Sequence, residues 1–250
     1  MDLTPVLRFA LLLVRPGMVV MLAPGLGGRQ IPAMAKIALT VMAAVALMPT
    51  VQLPETVGTN LVLIILREAA VGLSLAFVLQ VLIAGAEFAG HLSSYQIGFS
   101  YGATIDPISG VRSTMLVSLY GMLATLVFLG VNGHHALLRA LAASYDGVPI
   151  GAVQVNASLV GAVRDMLAMV FTVGLRLAAP VLIVLLIVEM AIGLISRAAP
   201  SLSFMVIGYP IRIVVGLFLI AALIATVPGV IESMIERALM LGGRTATAFR

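Results

Sequence analysis

The sequence is poor in charge, and it contains no cysteine and no tryptophan. Only 10% of its 250 residues are charged, whereas soluble domains carry about 25%. The lack of cysteine excludes disulfides, thiolate metal sites and cysteine nucleophiles. A soluble fold of this length would need far more charge to cover its surface. We therefore predict an integral membrane protein and not a soluble enzyme.

Apolar residues make up 62% of the chain, and the mean hydropathy is +1.19. Joints rich in Gly, Pro, Asn and Asp separate six apolar stretches, at about 6–23, 37–48, 61–85, 113–131, 166–195 and 202–227. A membrane span needs about 20 apolar residues, and several of these stretches are too short or are interrupted by charge. The length suits one membrane-embedded domain over 1–250, with a short polar tail at about 240–250.

Charged side chains lie inside these apolar stretches: Arg15, Arg67, Glu68, Arg176, Glu189 and Arg212. An ionised side chain at the centre of a bilayer costs about 2.5–3.5 kcal/mol on insertion scales. Arg67 and Glu68 are neighbours and point to different faces of a helix, so they cannot neutralise each other. Their partners must lie on other helices or in water. The pattern predicts helices packed inside an assembly or lining a polar path.

No motif in the sequence carries strong catalytic chemistry. His134 and His135 are adjacent, so they do not share a helix face, and a helix start after Asn132-Gly133 explains them better than a metal site. The Walker A and GxGxxG patterns are absent. Basic residues are scattered and form no nucleic-acid patch. We therefore expect no catalytic, cofactor or metal site and no nucleic-acid partner.

Two pairs of polar residues have helical spacing. Glu87 and His91 stand four apart, which favours an ordinary surface pair over a proton relay. Glu189 and Arg197 stand eight apart near one helix face. A structural ion pair buried between subunits explains them better than the cation site of a carrier.

Ordered motifs run through residues 10–230. They are Arg15-Pro16, Pro24, Pro32 and Lys36; Glu68-xxx-Gly72; Glu87-xx-Gly90; Gln96-x-Gly98; Asp106-Pro107; Phe128-Leu129; Asn132-Gly133-His134-His135; Ser144 and Pro149; Pro180; Gly193 to Pro200; and Phe204, Gly208 and Pro210. This ordered set resembles the FliR family of flagellar export proteins and its injectisome relatives, the SctT proteins. The Asn-Gly-His-His segment favours the flagellar branch. Ser201 and Glu189 replace the Gln and Asn that are common in the family, so local contacts between subunits are expected to differ.

The resemblance implies an all-α membrane protein of broken helices and helical hairpins. It also implies a non-enzymatic subunit of the flagellar type III export gate, which passes unfolded flagellar proteins across the bacterial inner membrane at the basal body. The implied partners are FliP-like and FliQ-like subunits, FlhB-like and FlhA-like components, the unfolded substrates and membrane lipid.

Two sets of site residues follow from composition and from the resemblance. The first is a Gly-rich segment between apolar stretches, expected to plug the closed channel: Gly98, Phe99, Gly102, Ile105, Asp106, Pro107 and Gly110. The second set comprises residues expected either at subunit contacts or in structural polar roles: Arg67, Glu68, Glu87, Gln96, Glu189, Arg197, Pro200 and Pro210.

Pro200 and Pro210 predict an interruption that turns the chain into a helical hairpin, because proline donates no backbone hydrogen bond. The segments 177–196 and 211–227 would then run antiparallel, with Arg197 near the tip.

Two rival functions differ from the gate. A small-solute or proton-coupled transporter would use Glu68, Glu189 and Arg176, but the internal pseudo-symmetry expected of a carrier is not visible in the sequence. An intramembrane enzyme would need a nucleophile or metal constellation that the sequence does not contain.

Overall fold

The computed structural model describes residues 4–28, 31–51, 60–99, 115–152, 158–198 and 204–247. Within these ranges the chain is helical and forms no strand, which confirms the all-α prediction. The helices are α1 (Thr4–Leu22), α2 (Ala33–Leu47), α3 (Leu61–Ile97), α4 (Met115–Gly130), α5 (Gly133–Gly147), α6 (Ser158–Ala198), α7 (Phe204–Leu223) and α8 (Val227–Thr247).

Two helices are long and apolar enough to cross a membrane, Leu61–Ile97 and Val160–Ala198. The first continues through Arg67 and Glu68, and the second through Arg176, Pro180 and Glu189. The charges interrupt the apolar sequence without breaking the helices, since a helix satisfies its own backbone hydrogen bonds. At 1.5 Å per residue, the 37 residues of α3 and the 41 of α6 extend about 55 and 60 Å. Both helices exceed the roughly 30 Å of hydrocarbon in a bilayer.

Two further pairs of helices are sharply bent, so that up to four spans result if each pair counts as one. The bend between α4 and α5 measures 68°, and the bend between α7 and α8 measures 57°. Asn132 forms the first joint in the left-handed conformation, with φ of 56°, which Asn tolerates better than most residues. Helix α5 begins at Gly133, as the sequence predicted.

Helices α6 and α7 form the predicted antiparallel pair. Val181 and Leu185 share an apolar cluster with Ile220, whereas Glu189, further along α6, pairs with Arg212, which precedes Ile220 in α7. The direction of one helix is therefore opposite to that of the other. Pro200 lies outside the described residues, and one helix from 180 to 227 does not form, because α6 ends at Ala198 and α7 begins at Phe204.

The prediction was wrong about Pro210, which lies inside α7 and not in the interruption. Proline removes one intrahelical hydrogen bond at this position. Transmembrane helices tolerate such a loss, because neighbouring groups satisfy the freed carbonyl.

The described helices belong to two compact units of the chain. Unit one comprises residues 1–82, 128–168 and 234–250, and unit two comprises 83–127 and 169–233. The single membrane-embedded domain over 1–250 stays a prediction. Helix α8 continues to Thr247, so most of the polar tail expected at 240–250 is helical.

Glycines let helices approach closely within unit two. A Cβ atom added at Gly90 of α3 would lie 2.7 Å from the Cα of Val117 in α4. Another at Gly85 would lie 2.7 Å from the Cβ of Val173 in α6. Small residues at helix contacts are the usual means of close packing in membrane proteins. By contrast, a Cβ at Gly193 of α6 would meet no atom within 4 Å.

We expect Gly90→Ala to destabilise the protein by about 1–3 kcal/mol, because the added methyl group overlaps backbone atoms that cannot rotate away. Gly193→Ala is the matched control, and we expect it to be neutral or to stabilise helix α6 by up to about 1 kcal/mol. The free energy of unfolding in detergent, followed by circular dichroism, measures both effects. Equal losses in the two variants would show that the glycine at position 90 is not required for packing.

Candidate functional site

A buried ion pair joins α1 and α3 in unit one. Arg15 and Glu68 have 0% exposed side chains, and Arg15 Nε donates to Glu68 Oε2 at 2.5 Å. The sequence predicted that Glu68 would find its partner on another helix, and this is confirmed. The same contact neutralises two of the charges that interrupt the apolar stretches.

Arg15 also binds the end of α5. Its Nη1 donates to the carbonyl of Ser144 at 3.0 Å and to the Ser144 hydroxyl at 3.2 Å, and Nη2 donates to the carbonyl of Val148 at 2.7 Å. The last carbonyls of a helix carry partial negative charge and often lack intrahelical N–H donors. The Ser144 carbonyl also accepts the Val148 N–H at 2.9 Å, whereas the Val148 carbonyl lies beyond the helix. The guanidinium therefore acts as a cationic cap on α5.

The remaining polar atoms of the pair are satisfied as well. Glu68 Oε1 accepts a hydrogen bond from the Gly151 N–H at 3.0 Å. The Arg15 guanidinium carbon lies 4.4 Å from the centre of the Tyr145 ring, a cation–π distance. The Tyr145 hydroxyl donates to the Leu12 carbonyl at 3.1 Å. We call Arg15, Glu68, Ser144, Tyr145, Val148 and Gly151 the Arg15 cluster.

The Arg15 cluster is arranged to hold three helices together and not to bind a solute. Both carboxylate oxygens of Glu68 and all three nitrogens of the Arg15 guanidinium have partners. A buried pair whose polar atoms are all hydrogen-bonded presents no unpaired group to a solute. The arrangement therefore has a structural role.

A second ion pair lies in unit two and corrects a prediction. Arg212 Nη2 lies 2.9 Å from Glu189 Oε1, and the two side chains are 17% and 29% exposed. The predicted partner of Glu189 was Arg197, and this was wrong. Eight residues separate those two along one helix by about 12 Å, whereas the antiparallel α7 brings Arg212 alongside Glu189. Arg197 is exposed in the last turn of α6.

The other predicted contact residues do not gather in one place. Arg67 is half-buried in unit one, while Glu87 and Gln96 lie in unit two, exposed and half-buried respectively. Glu87 packs over Gly121, since a Cβ at Gly121 would lie 2.9 Å from Glu87 Oε1. The described residues include no ion pair between Glu87 and His91.

The start of the predicted plug is held at the end of α3. The N–H groups of Gly98 and Phe99 both donate to the Ser94 carbonyl at 3.0 Å, and Gly98 has a φ of 104° that favours glycine. The Tyr209 hydroxyl donates to the Gly98 carbonyl at 3.4 Å. The remaining plug residues, Gly102, Ile105, Asp106, Pro107 and Gly110, lie outside the described residues.

Metal-binding groups do not occur in the described part of the chain, in the sense of three or more His, Asp or Glu side chains close together. His134 and His135 pack against each other with ring centres 4.3 Å apart. Adjacent histidines at the start of a helix therefore have a packing role within unit one.

Reasoning from sequence did not find most of the Arg15 cluster. Arg15 was recognised as an embedded charge, but Tyr145, Val148 and Gly151 carry no pattern that marks them. A usable signal was the cation itself, because a buried guanidinium needs several acceptors. The free carbonyls at the end of a helix are natural candidates for them.

Comparison with known proteins gives a consistent result. The family model described as Bacterial export proteins, family 1, matches residues 6–238. The chain is 33% identical over 203 residues to the flagellar biosynthetic protein FliR of Escherichia coli (strain K12), covering 80% of this chain and 78% of that protein. It is 27% identical over 238 residues to FliR of Bacillus subtilis (strain 168), covering 93% and 91%. The surface presentation of antigens protein SpaR of Shigella flexneri is 26% identical over 170 residues, covering 68% and 66%.

We expect Glu68→Leu to lower the free energy of unfolding by about 3–5 kcal/mol, because the buried charge of Arg15 loses its counter-ion. The matched control is Asp165→Leu, which removes the acidic partner of the exposed Arg164–Asp165 pair and should cost no more than about 1 kcal/mol. Unfolding in detergent, followed by circular dichroism, compares the two.

The double variant Arg15→Met with Glu68→Leu separates pairing from capping. If neutralisation were the whole role of Arg15, the double variant would recover the stability of the wild type. We expect partial recovery, because the buried Val148 carbonyl loses the hydrogen bond from the guanidinium, whereas the Ser144 carbonyl still accepts the Val148 N–H. Full recovery would contradict the capping role.

Proposed function

Since the chain belongs to the bacterial export proteins of family 1, we propose that it is a subunit of the flagellar type III protein export gate. In this role it helps to form the channel that passes unfolded flagellar proteins across the inner membrane at the basal body. It is a structural component of the export apparatus and not an enzyme. The observation that carries the proposal is the family match, which extends through both compact units of the chain.

The surface of α6 supports a role inside an assembly. Phe171, Leu175, Ile183 and Ile187 are exposed at helical spacing and form a continuous apolar face. Exposed apolar residues continue along α6 to Leu194, so this face extends about 35 Å at 1.5 Å per residue, longer than the roughly 30 Å of hydrocarbon in a bilayer. Lipid tails therefore cannot cover its whole length, and partner proteins are the natural cover for the rest.

The charge of Arg176 also supports a protein partner at the surface of α6. It is exposed beside the apolar face of α6, and the described residues provide it with neither an ion pair nor a hydrogen bond. Contact with lipid tails would cost about 2.5–3.5 kcal/mol at the bilayer centre. A partner helix that carries a carboxylate or free carbonyls would remove this cost.

FliP-like and FliQ-like subunits are the proposed partners that cover these surfaces, and FlhB-like and FlhA-like components are proposed neighbours. The similarity of this chain to SpaR as well as to the FliR proteins supports the assignment to a type III apparatus.

The two carboxylates that a transporter would use are already bonded within the chain. Glu68 is fully bonded within the Arg15 cluster, and Glu189 pairs with Arg212. These two carboxylates belong to different compact units, and neither is an open binding group. The family relationship favours the export gate over a carrier.

Co-expression tests the assembly. We expect the chain alone to be heterogeneous in detergent and the chain with FliP-like and FliQ-like subunits to form one complex of defined mass by native mass spectrometry. Arg176→Glu should reduce the yield of this complex about tenfold, since a repelled charge pair loses more than about 1.4 kcal/mol. Arg164→Glu, on an exposed pair, is the control and should assemble normally. A monodisperse lone chain that transports a solute in liposomes would refute the gate.

We also propose that the segment from Gly98 to Ser113 plugs the closed channel. Its support is the Gly-rich composition between two apolar segments and the anchoring of Gly98 by Tyr209. An ion-tight channel for polypeptides needs an obstruction that moves aside at low cost, and glycine resists regular helix by about 1 kcal/mol per residue.

Deletion of residues 102–110 should make cells leaky to ions while some secretion continues. The same deletion in cells without the FliP-like subunit is the control, and it should not leak, because no channel assembles. Conductance of membrane vesicles measures the leak. Tight membranes combined with loss of assembly would identify the segment as a structural loop.

A further inference from the structure

An apolar cavity of about 460 Å³ lies in unit one. Helix α1 contributes Val20 and Ala23 to its wall, α2 contributes Ala43 and Ala46, and α5 contributes Leu138. The volume lies within the roughly 300–1,000 Å³ that is usual for small-molecule sites. Cavities of this size in a single chain are large enough to hold a ligand and not only a water molecule.

The residues that line the cavity favour a hydrocarbon ligand. His134 is the one polar side chain among the described lining residues, and its Nδ1 atom is buried without a hydrogen-bond partner in the described structure. The wall therefore provides no set of converging donors or acceptors that would recognise a charged or polar ligand. Any polar end of the ligand must lie outside the cavity.

The position of the cavity beside α2 indicates the source of the hydrocarbon. Apart from Lys36 and Thr40, helix α2 is apolar, and it exposes Ile37, Met42 and Val45, the pattern of a helix that is covered by lipid or protein. Its 15 residues extend about 22 Å, less than the roughly 30 Å of a bilayer core. Leu39 and Met42 are both exposed and part of the cavity wall, so the cavity opens on the outer face of α2.

We propose that this cavity binds one acyl chain of a membrane lipid, which enters between α2 and α5 beside Leu39, Met42 and Leu138. In a membrane-embedded protein, acyl chains surround such an opening at high concentration. Each methylene group that enters the cavity packs against its apolar wall, and the headgroup stays outside in contact with water. The bound chain fills the space behind α2 and fixes this short helix against α1 and α5.

Photolabelling in membranes tests the proposal. The full chain is co-expressed with its partner subunits, and phosphatidylethanolamine with a diazirine at the end of one acyl chain is the probe. After irradiation, mass spectrometry of the digested chain locates the label. We expect labelled peptides to include the inner wall, at Ala43 and the buried Leu141, and unlabelled phosphatidylethanolamine to compete for these positions.

Filling the cavity provides the decisive comparison. We expect Ala43→Phe with Ala46→Phe to remove most of the labelling of the inner wall, because the two rings occupy the space that the acyl chain needs and a packed interior leaves no room for both. Ala38→Phe is the matched control, since Ala38 is exposed on α2 and outside the cavity wall. Equal labelling of the inner wall in the filled and control variants would overturn the proposal.

Two further results discriminate among occupants. His134→Leu makes the wall wholly apolar, and we expect this variant to keep or increase the labelling of the inner wall. This result does not depend on whether the filled variant folds. Loss of the label in His134→Leu would indicate recognition through a polar group and would refute a hydrocarbon ligand. An inner wall without label, together with cross-links from Ala43 to a partner subunit, would assign the cavity to a side chain of that partner instead.

Discussion

The buried pair of Arg15 and Glu68 is the interaction on which unit one depends. Each of the two charges would be costly alone, so the helices that carry them cannot separate without exposing or stranding a charge. Because Arg15 also binds the carbonyls at the end of α5, a single side chain fixes the meeting point of α1, α3 and α5. Helices α1 and α5 also form walls of the apolar cavity. The Arg15 cluster therefore joins two of the helices that enclose this cavity.

Five of the six embedded charges, all but Arg67, fall into two groups with different consequences. Arg15, Glu68, Glu189 and Arg212 find partners within the chain. Arg176 lies exposed on an apolar face. The first group stabilises the folded subunit, whereas the exposed charge marks a surface that requires another protein. An export-gate subunit needs both properties, since it must fold as a unit and also pack against neighbours.

Reasoning from sequence found that embedded charges need partners, but it did not find the partners. Arg15 and Glu68 are 53 residues apart, and no local spacing indicates that they meet. For Glu189 the sequence favoured Arg197, on the same helix, because only local spacing was visible. The antiparallel hairpin supplied Arg212 instead. Likewise, Tyr145 and Gly151 became site residues only through the position of α5 against α1.

The sequence by itself determined the helical class, the membrane environment, the turn at Asn132-Gly133 and the family, because composition, local backbone preference and ordered motifs are properties of the chain read in order. Tertiary structure alone decided which charges pair, that α3 and α6 continue through their charged residues, and that α1, α2 and α5 enclose a cavity. These features depend on contacts between segments far apart in sequence. The free energy of such contacts appears only when the helices pack, so no local pattern encodes it.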